Sequence, residues 1–408
     1  MAINSAPITV KFSFAIVLLF TIVGGLAKYI ANDVPFYLEY QGESYYPLFS
    51  GKKVLAINDN NAVKINYLAL QKVKGVYAVY PLVPFKAKGA NINSSDYQKP
   101  LSHINGRIHV LGTNQVGEDT LAGIIHGAAF SVKVGVGAML LALIIGLSVG
   151  TTSGYLGNKG LAANGLQIIG FLIFQIPIYF YVFVLPKYSF ISALELGMGA
   201  FAQKVIIALL AIVIIETALI FGLRLLPKYN LKSYNLPFDN LVGRFIEFID
   251  GLPMLMILIA LSVIFKPSAS FLIVFIGGTS WISIARLSRA EVLKIRQSDF
   301  INAARLMKMP TWRIIIKHLL PNAMGPVTVA FAFGVGNAIL AESSLSFLGI
   351  GLPNDVKTWG MIIDESRQYY KAWWLMWSPG ICITLIILSF YNIGQFLRSK
   401  FNPEGVVV

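Results

Sequence analysis

Long apolar runs recur along this chain, separated by polar stretches of very unequal length. About 30 Å of hydrocarbon takes roughly 20 apolar residues of helix to cross. By that rule 10–30, 131–153, 161–185, 205–226, 250–265, 271–287, 325–349 and 377–397 read as eight spans. The first has Lys11 at its start and no clean small-residue cleavage site after it, so it reads as a retained helix rather than a signal peptide. The run at 131–153 is rich in Gly and Ala, as close helix packing in lipid requires.

The polar stretches differ in kind. Residues 31–119 are rich in Tyr, Lys, Asn and Pro and hold short alternating runs such as KVLAIND and KGVYAVYPLV, which predict small strands in a soluble insertion. The Trp- and Tyr-rich stretch with Trp359, Tyr369, Tyr370, Trp373 and Trp374 predicts an interfacial aromatic belt. The stretch 299–322, DFINAARLMKMPTWRIIIKHLLPN, is basic and lies between two apolar runs. Ser298 or Asp299 caps a helix there, and Phe300, Ala303, Ala304 and Met307 fall on one face. Pro310 breaks it, Thr311 caps a second helix, and Leu320-Pro321 ends that one. Two short helices in a loop suit either a docking element for a soluble partner or an amphipathic element lying among lipid headgroups.

Composition agrees with a membrane protein. Only 13% of the 408 residues are charged and 56% are hydrophobic, against about 25% charged in soluble domains. Mean hydropathy is +0.68. The net charge of +14 would suggest nucleic acid in a soluble protein. Here much of the excess sits in short loops, with eight Lys and Arg between Arg286 and Lys317, which predicts that loop on the cytoplasmic side. An even number of spans then places both termini inside and 31–119 outside. The domain reading is a first helix at 1–30, the insertion at 31–119, a core span at 120–157, an extra two-span hairpin with a basic loop at 158–243, and the remaining core at 244–404.

Candidate chemistry is sparse. Cys382 is alone, in an apolar run, and the four His (His103, His109, His126, His318) show no metal-ligand spacing. No phosphate-cradling GxxxxGK[ST] motif occurs, so no cofactor is expected on this chain. Glu216 lies within an apolar run, a position that serves either function or helix assembly. Glu342, Ser343 and Ser344 either line a translocation path or stabilise helix packing. An ion-coupled or channel-type permease is the rival class. It predicts intramembrane charges in paired spans and inverted repeats, and Glu216 alone answers to that.

Four segments resemble permease subunits of bacterial ABC importers, in the dipeptide/oligopeptide branch. Asn302-Ala303-Ala304, Lys308 and Leu320-Pro321 fall where that family has Glu-Ala-Ala, a Gly and a closing Leu-Pro in its ATPase-coupling loop. The segment 110–119, VLGTNQVGED, resembles LGTDxxGRD. SGYLG at 153–157 resembles SGYxG, and AESSLSFLGIG at 341–351 with Trp359-Gly360 resembles AExxLSFLGLG…WG. Together these cover roughly 105–157 and 244–404. The insertion, with YLEYQGESYYPLF and VYPLVPF, is similar to the microcin C-type oligopeptide subset. The resemblance implies an all-α, six-span core, here with two added spans. It implies a second homologous permease, two ATPase subunits that supply ATP hydrolysis, an external solute-binding protein and an inner-membrane location. The chain departs from the pattern at Asn302 for Glu, Lys308 for Gly, Asn114 for Asp and Glu118 for Arg. Asn302 keeps hydrogen-bonding capacity but loses the charge. If the loop's turn needs positive φ, Lys308 costs about 1 kcal/mol.

Overall fold

The computed structural model describes residues 6–40, 42–50, 76–89, 97–104, 107–158, 233–265, 268–350 and 356–401, with Tyr67 and scattered positions between 162 and 218. The main helices are α1 (Ile8–Gly25), α2 (Thr120–Leu156), α3 (Phe238–Asp250), α4 (Met254–Ile264), α5 (Ala269–Ile295), α6 (Asp299–Leu306), α7 (Thr311–Ile314), α8 (Leu320–Phe347), α9 (Trp359–Ser366) and α10 (Trp374–Phe401). Among the described residues, five helical stretches are long and apolar enough to cross a membrane, or six if the bent pair of α3 and α4 is one span. The chain is therefore an all-α, multi-pass membrane protein with a few small strands. Glu216 and most of 161–185 and 205–226 lie outside the described residues.

Two expectations need correction. Residues 250–265 are not a span by themselves: α4 has 11 residues and is long enough to cross only together with α3, from which it is bent by 70°. Pro253, which lacks an N–H, caps α4 where α3 ends. Nor does Leu320-Pro321 end a helix: α7 runs through a π turn, Ile315–Leu319, directly into α8. The Leu320 N–H reaches back to the Ile315 carbonyl, a one-residue widening. That loosening, just before Pro321, lets the helix absorb a residue with no N–H to give.

The chain divides into two compact units. The first comprises Met1–Gly137 and Val335–Phe396. In it β1 (Tyr37–Tyr40) is the centre of a small antiparallel sheet with β2 (Glu43–Tyr45) and β3 (Val76–Val79), and β4 (Ser102–Ile104) pairs with β5 (Arg107–His109). The strand expected in KGVYAVYPLV is thus present as β3, while KVLAIND, 53–59, lies outside the described residues. Val83 and Phe85 pack with Ala27, Ala31, Ala122 and Ile125, joining the insertion to the helices.

The second unit comprises Ala138–Gly334 and Leu397–Val408. Its centre is the contact between the C-terminal half of α2 and α5. Gly146, Gly150 and Gly154, one turn apart, face Ile284, Ala285 with Ser288, and Arg289 with Val292. With no Cβ on the first helix the backbones approach closely, which gives lipid-embedded helices their dispersion contacts. Two strands, β6 (Ala162–Asn164) and β7 (Ser233–Asn235), pair antiparallel across the neck of the inserted block. Asn158 and Asn240 clasp the same neck through two 3.0 Å hydrogen bonds. The chain thus leaves and re-enters this block at one place. Inside it, Ile178 and Val182 pack on Ala208.

Candidate functional site

The 299–322 loop is a built structure held in the second unit. Ile301 and Ala304 of α6 are buried with Val292, Ile314, Leu319 and Ala323. The opposite side is open: Leu306 is 85% and Met307 70% exposed, with Asn302 and Ala303 beside them. Phe300, Trp312 and Ile316 are also largely exposed. The face expected from Phe300, Ala303, Ala304 and Met307 is therefore rotated. Ala304 points into the loop's own core, and the free face runs through Ala303, Leu306 and Met307. Leu320 is half-buried and Pro321 exposed.

The turn that ends α6 explains one departure. The Lys308 N–H donates to the Arg305 carbonyl at 2.9 Å, and the Met309 N–H to that of Ala304 at 3.1 Å. These are the two bonds of a Schellman cap, whose penultimate residue sits in the left-handed region. Lys308 has φ +52° there, so the turn does need positive φ. Glycine at this position removes a Cβ clash worth about 1 kcal/mol. The Lys308→Gly variant is expected to be more stable by that amount, read as a raised Tm of the detergent-solubilised chain. An unchanged or lowered Tm would count against the cap.

The SGYLG motif is the foot on which this loop stands. The Ser153 hydroxyl donates to Asp239 Oδ1 at 2.6 Å, and Arg289 grips the same carboxylate with two bonds, at 2.5 and 2.6 Å. That fork ties α3 to α5 at the end of α2. Gly154 meets Arg289 and Val292, and Gly157 (φ +60°) lies under the Arg296 guanidinium. Tyr155 receives Arg305 of α6 over its ring at 5.2 Å. Asp239, Arg289 and Tyr155 were not singled out by sequence. Tyr155 lay inside a recognised motif, but nothing in the spacing links it to a residue of α6.

In the first unit the AESSLSF and WG segments form a core. Glu342 is fully buried and accepts from Ser131 at 2.7 Å, Ser346 at 2.6 Å and Ser343 at 3.3 Å. Ser343 is buried, whereas Ser344 is exposed and donates to the Leu340 carbonyl. Glu342 and Ser343 thus sit in a helix–helix network. Trp359 has no exposed surface, donates its indole N–H to the Ile124 carbonyl at 3.0 Å, and lies against Gly127. Trp374 is equally buried and donates to the Thr113 carbonyl. These two indoles are core, not belt, because each finds a backbone acceptor inside. Tyr369, Tyr370 and Trp373 are the exposed rings of that stretch.

The VLGTNQVGED segment closes beside them. Asp119 caps α2 by accepting from the Ala122 N–H at 2.7 Å, and it also meets His109 Nδ1 at 2.8 Å. Glu118 accepts from Lys357 Nζ at 2.6 Å, and that ammonium also donates to Glu365 at 2.5 Å. Asn114 donates to both carboxylates, at 2.9 and 3.1 Å. An arginine at 118 would meet Lys357 as a like charge, so the acid at 118 and the lysine at 357 fit together. Burial, the largest influence, pushes the Glu118 carboxyl up; the Lys357 charge and the bonds from Lys357, Gly89 and Asn114 together outweigh it and hold the group below its ordinary 4.5. Its stabilising contribution is present above pH 4.5 and is lost as pH falls through the lowered value. Between neutral pH and pH 3, wild type is expected to lose its Tm advantage over Glu118→Gln below about pH 4.5. A gap that stays constant across that range would refute the pairing.

Residues 218–403 match the family described as "Binding-protein-dependent transport system inner membrane component". The match contains α3 through α10 with the 299–322 loop, whereas the SGYLG motif at 153–157 lies outside it. A Brucella suis protein named as a peptide transport system permease is 38% identical over 168 residues, 41% of this chain and 57% of its own length. The dipeptide transport system permease protein DppC of Bacillus subtilis is 34% identical, over 41% of this chain and 52% of its own. The oligopeptide transport system permease protein OppC of Haemophilus influenzae is 32% identical, over 41% and 54%. The chain spans just over half the length of these curated relatives. The resemblance to peptide importer permeases, carried by four motifs, is borne out.

Proposed function

We propose that this chain is a permease subunit of an ATP-driven importer of peptides or oligopeptides. It sits in a bacterial inner membrane with both termini cytoplasmic. It pairs with a second homologous permease to form the translocation path. Two cytoplasmic ATPase subunits dock on the 299–322 loops of the pair, and an extracytoplasmic solute-binding protein delivers the peptide. This chain hydrolyses nothing.

The observation that carries the reading is the two-sided loop. One face of α6 is locked to α5, α7 and α8 through Ile301 and Ala304, while the other presents Ala303, Leu306 and Met307 exposed among the described residues. A force applied to the open face reaches α5 and α8 directly, because both flank the loop without slack. ATP binding draws the ATPases together and carries the loops inward. The spans move with them as semi-rigid bodies, a two-state element biased by a ligand in a partner chain.

The reading is tested by deleting the gene in its own host and measuring uptake of a radiolabelled tripeptide. Uptake should vanish, return with the wild-type chain, and stop on ATP depletion with the proton gradient held. Uptake that survives ATP depletion would sink it and favour the ion-coupled class.

A further inference from the structure

A cavity of about 400 Å³ opens in the first unit between the insertion and the first half of α2. Among the described residues its lining carries Lys86, Lys88, Lys133, Lys357 and His126, and no carboxylate. The acids nearby are already engaged. Asp33 holds Lys86 at 2.6 Å, and Glu118 with Glu365 hold Lys357. Lys88 and Lys133 have no ion-pair partner among the described residues. Lys133 lies within the apolar run of α2, where a charge is costly and marks a functional position by default.

The cavity is also held open by the fold rather than formed by loose lysine tails. The wall that carries Lys86 and Lys88 is pinned to the end of the first span. The Val83 N–H donates to the Ile30 carbonyl at 2.9 Å, and Asn32 returns a bond to Val83 at 3.1 Å. The His126 ring is fixed on the Ala31 carbonyl at 2.9 Å. Ala129, Phe130 and Val356 supply an apolar floor. A concave site whose uncompensated charges, those of Lys88 and Lys133, are of one sign concentrates an anion. Snorkelling alone accounts for one lysine reaching an interface, but not for two on one cavity, Lys88 and Lys133, with no ion-pair partner among the described residues.

We infer that this cavity binds the terminal carboxylate of the transported peptide, with Lys88 and Lys133 as the charge-bearing ligands and the apolar floor against the adjoining side chain. The inference rests on the importer reading above and adds to it a way station on this chain. Selection then acts on a feature every peptide shares, which leaves the side-chain sequence unread.

The full-length chain in neutral phosphatidylcholine nanodiscs, titrated with trialanine, is the test. A saturable rise in Tm is expected with trialanine and none with its C-terminal amide. Binding should weaken about tenfold in Lys88→Gln and again in Lys133→Gln. The Tm of each variant without peptide verifies folding. Absence of binding by the wild type, equal binding of acid and amide, or wild-type affinity in the double variant overturns the site. So does loss of peptide binding when phosphatidylglycerol is included, since a lipid headgroup is then the occupant. No ATPase is involved in this readout. Discrimination of acid from amide in a chain whose uptake survives ATP depletion keeps the site and rejects the importer, and the converse rejects the site alone.

Discussion

Leucine in place of Gly150 is expected to leave almost no folded chain in the membrane. A Cβ at that position lies 2.0 Å from Ser288 Oγ and 2.4 Å from the Ala285 carbonyl oxygen. The serine hydroxyl could rotate, but the Ala285 carbonyl belongs to the backbone of α5 and cannot. The two helices must separate, and separation also strips the contacts at Gly146 and Gly154, whose added Cβ atoms would lie 2.7 and 2.9 Å from α5. Overpacking of a tight core costs about 1–3 kcal/mol, and loss of three successive close contacts exceeds that. Ser288 adds to it: its hydroxyl donates to the Gly146 carbonyl at 3.2 Å across the same seam. Gly278→Leu is the matched control, because a Cβ there meets nothing within 4 Å. Fluorescence-detected size-exclusion of both variants should show a monodisperse peak for the control and aggregate for Gly150→Leu. A normal peak for Gly150→Leu would mean that the α2–α5 seam is not a close one.

The reach of sequence reading depends on which forces are local. The spans were visible because lipid demands apolar length, and the insertion because it does not. The cost of Lys308 was legible only as a condition, because the sequence did not fix whether the turn has positive φ there. Three features were hidden because they depend on distant partners. Lys357 answers Glu118 across 239 positions, so the glutamate looked like an unexplained departure. Trp359 and Trp374 have the composition of an aromatic belt, and only the carbonyls of Ile124 and Thr113 make them core. The rotation of α6 was missed because Ala303 and Ala304 are equivalent by composition. Which of them turns inward is decided by Ile314 and Leu319 on the far side of the turn. The π turn before Pro321 accommodates a residue that cannot donate, and no local pattern announces it.

Glutamine at both Leu306 and Met307 is expected to separate folding from coupling. Both side chains are exposed, glutamine has nearly the helix propensity of leucine and methionine, and exposed substitutions usually move stability by no more than about 0.5 kcal/mol. The chain should therefore fold as before. Burying either residue against a partner contributes about 1.5–3 kcal/mol, which is about tenfold or more in affinity for each. The double variant should then lose ATPase subunits on purification from its native membrane, and peptide uptake should fall by at least that factor, with the Tm of the isolated chain unchanged. Ile301→Asp makes the contrast: its side chain is fully buried in the loop core, and a carboxylate there has no partner to offset its desolvation, so folding and coupling should fail together. Comparable ATPase yield from the double variant and the wild type would show that the engine grips elsewhere, and that the open face of α6 is turned toward lipid headgroups instead.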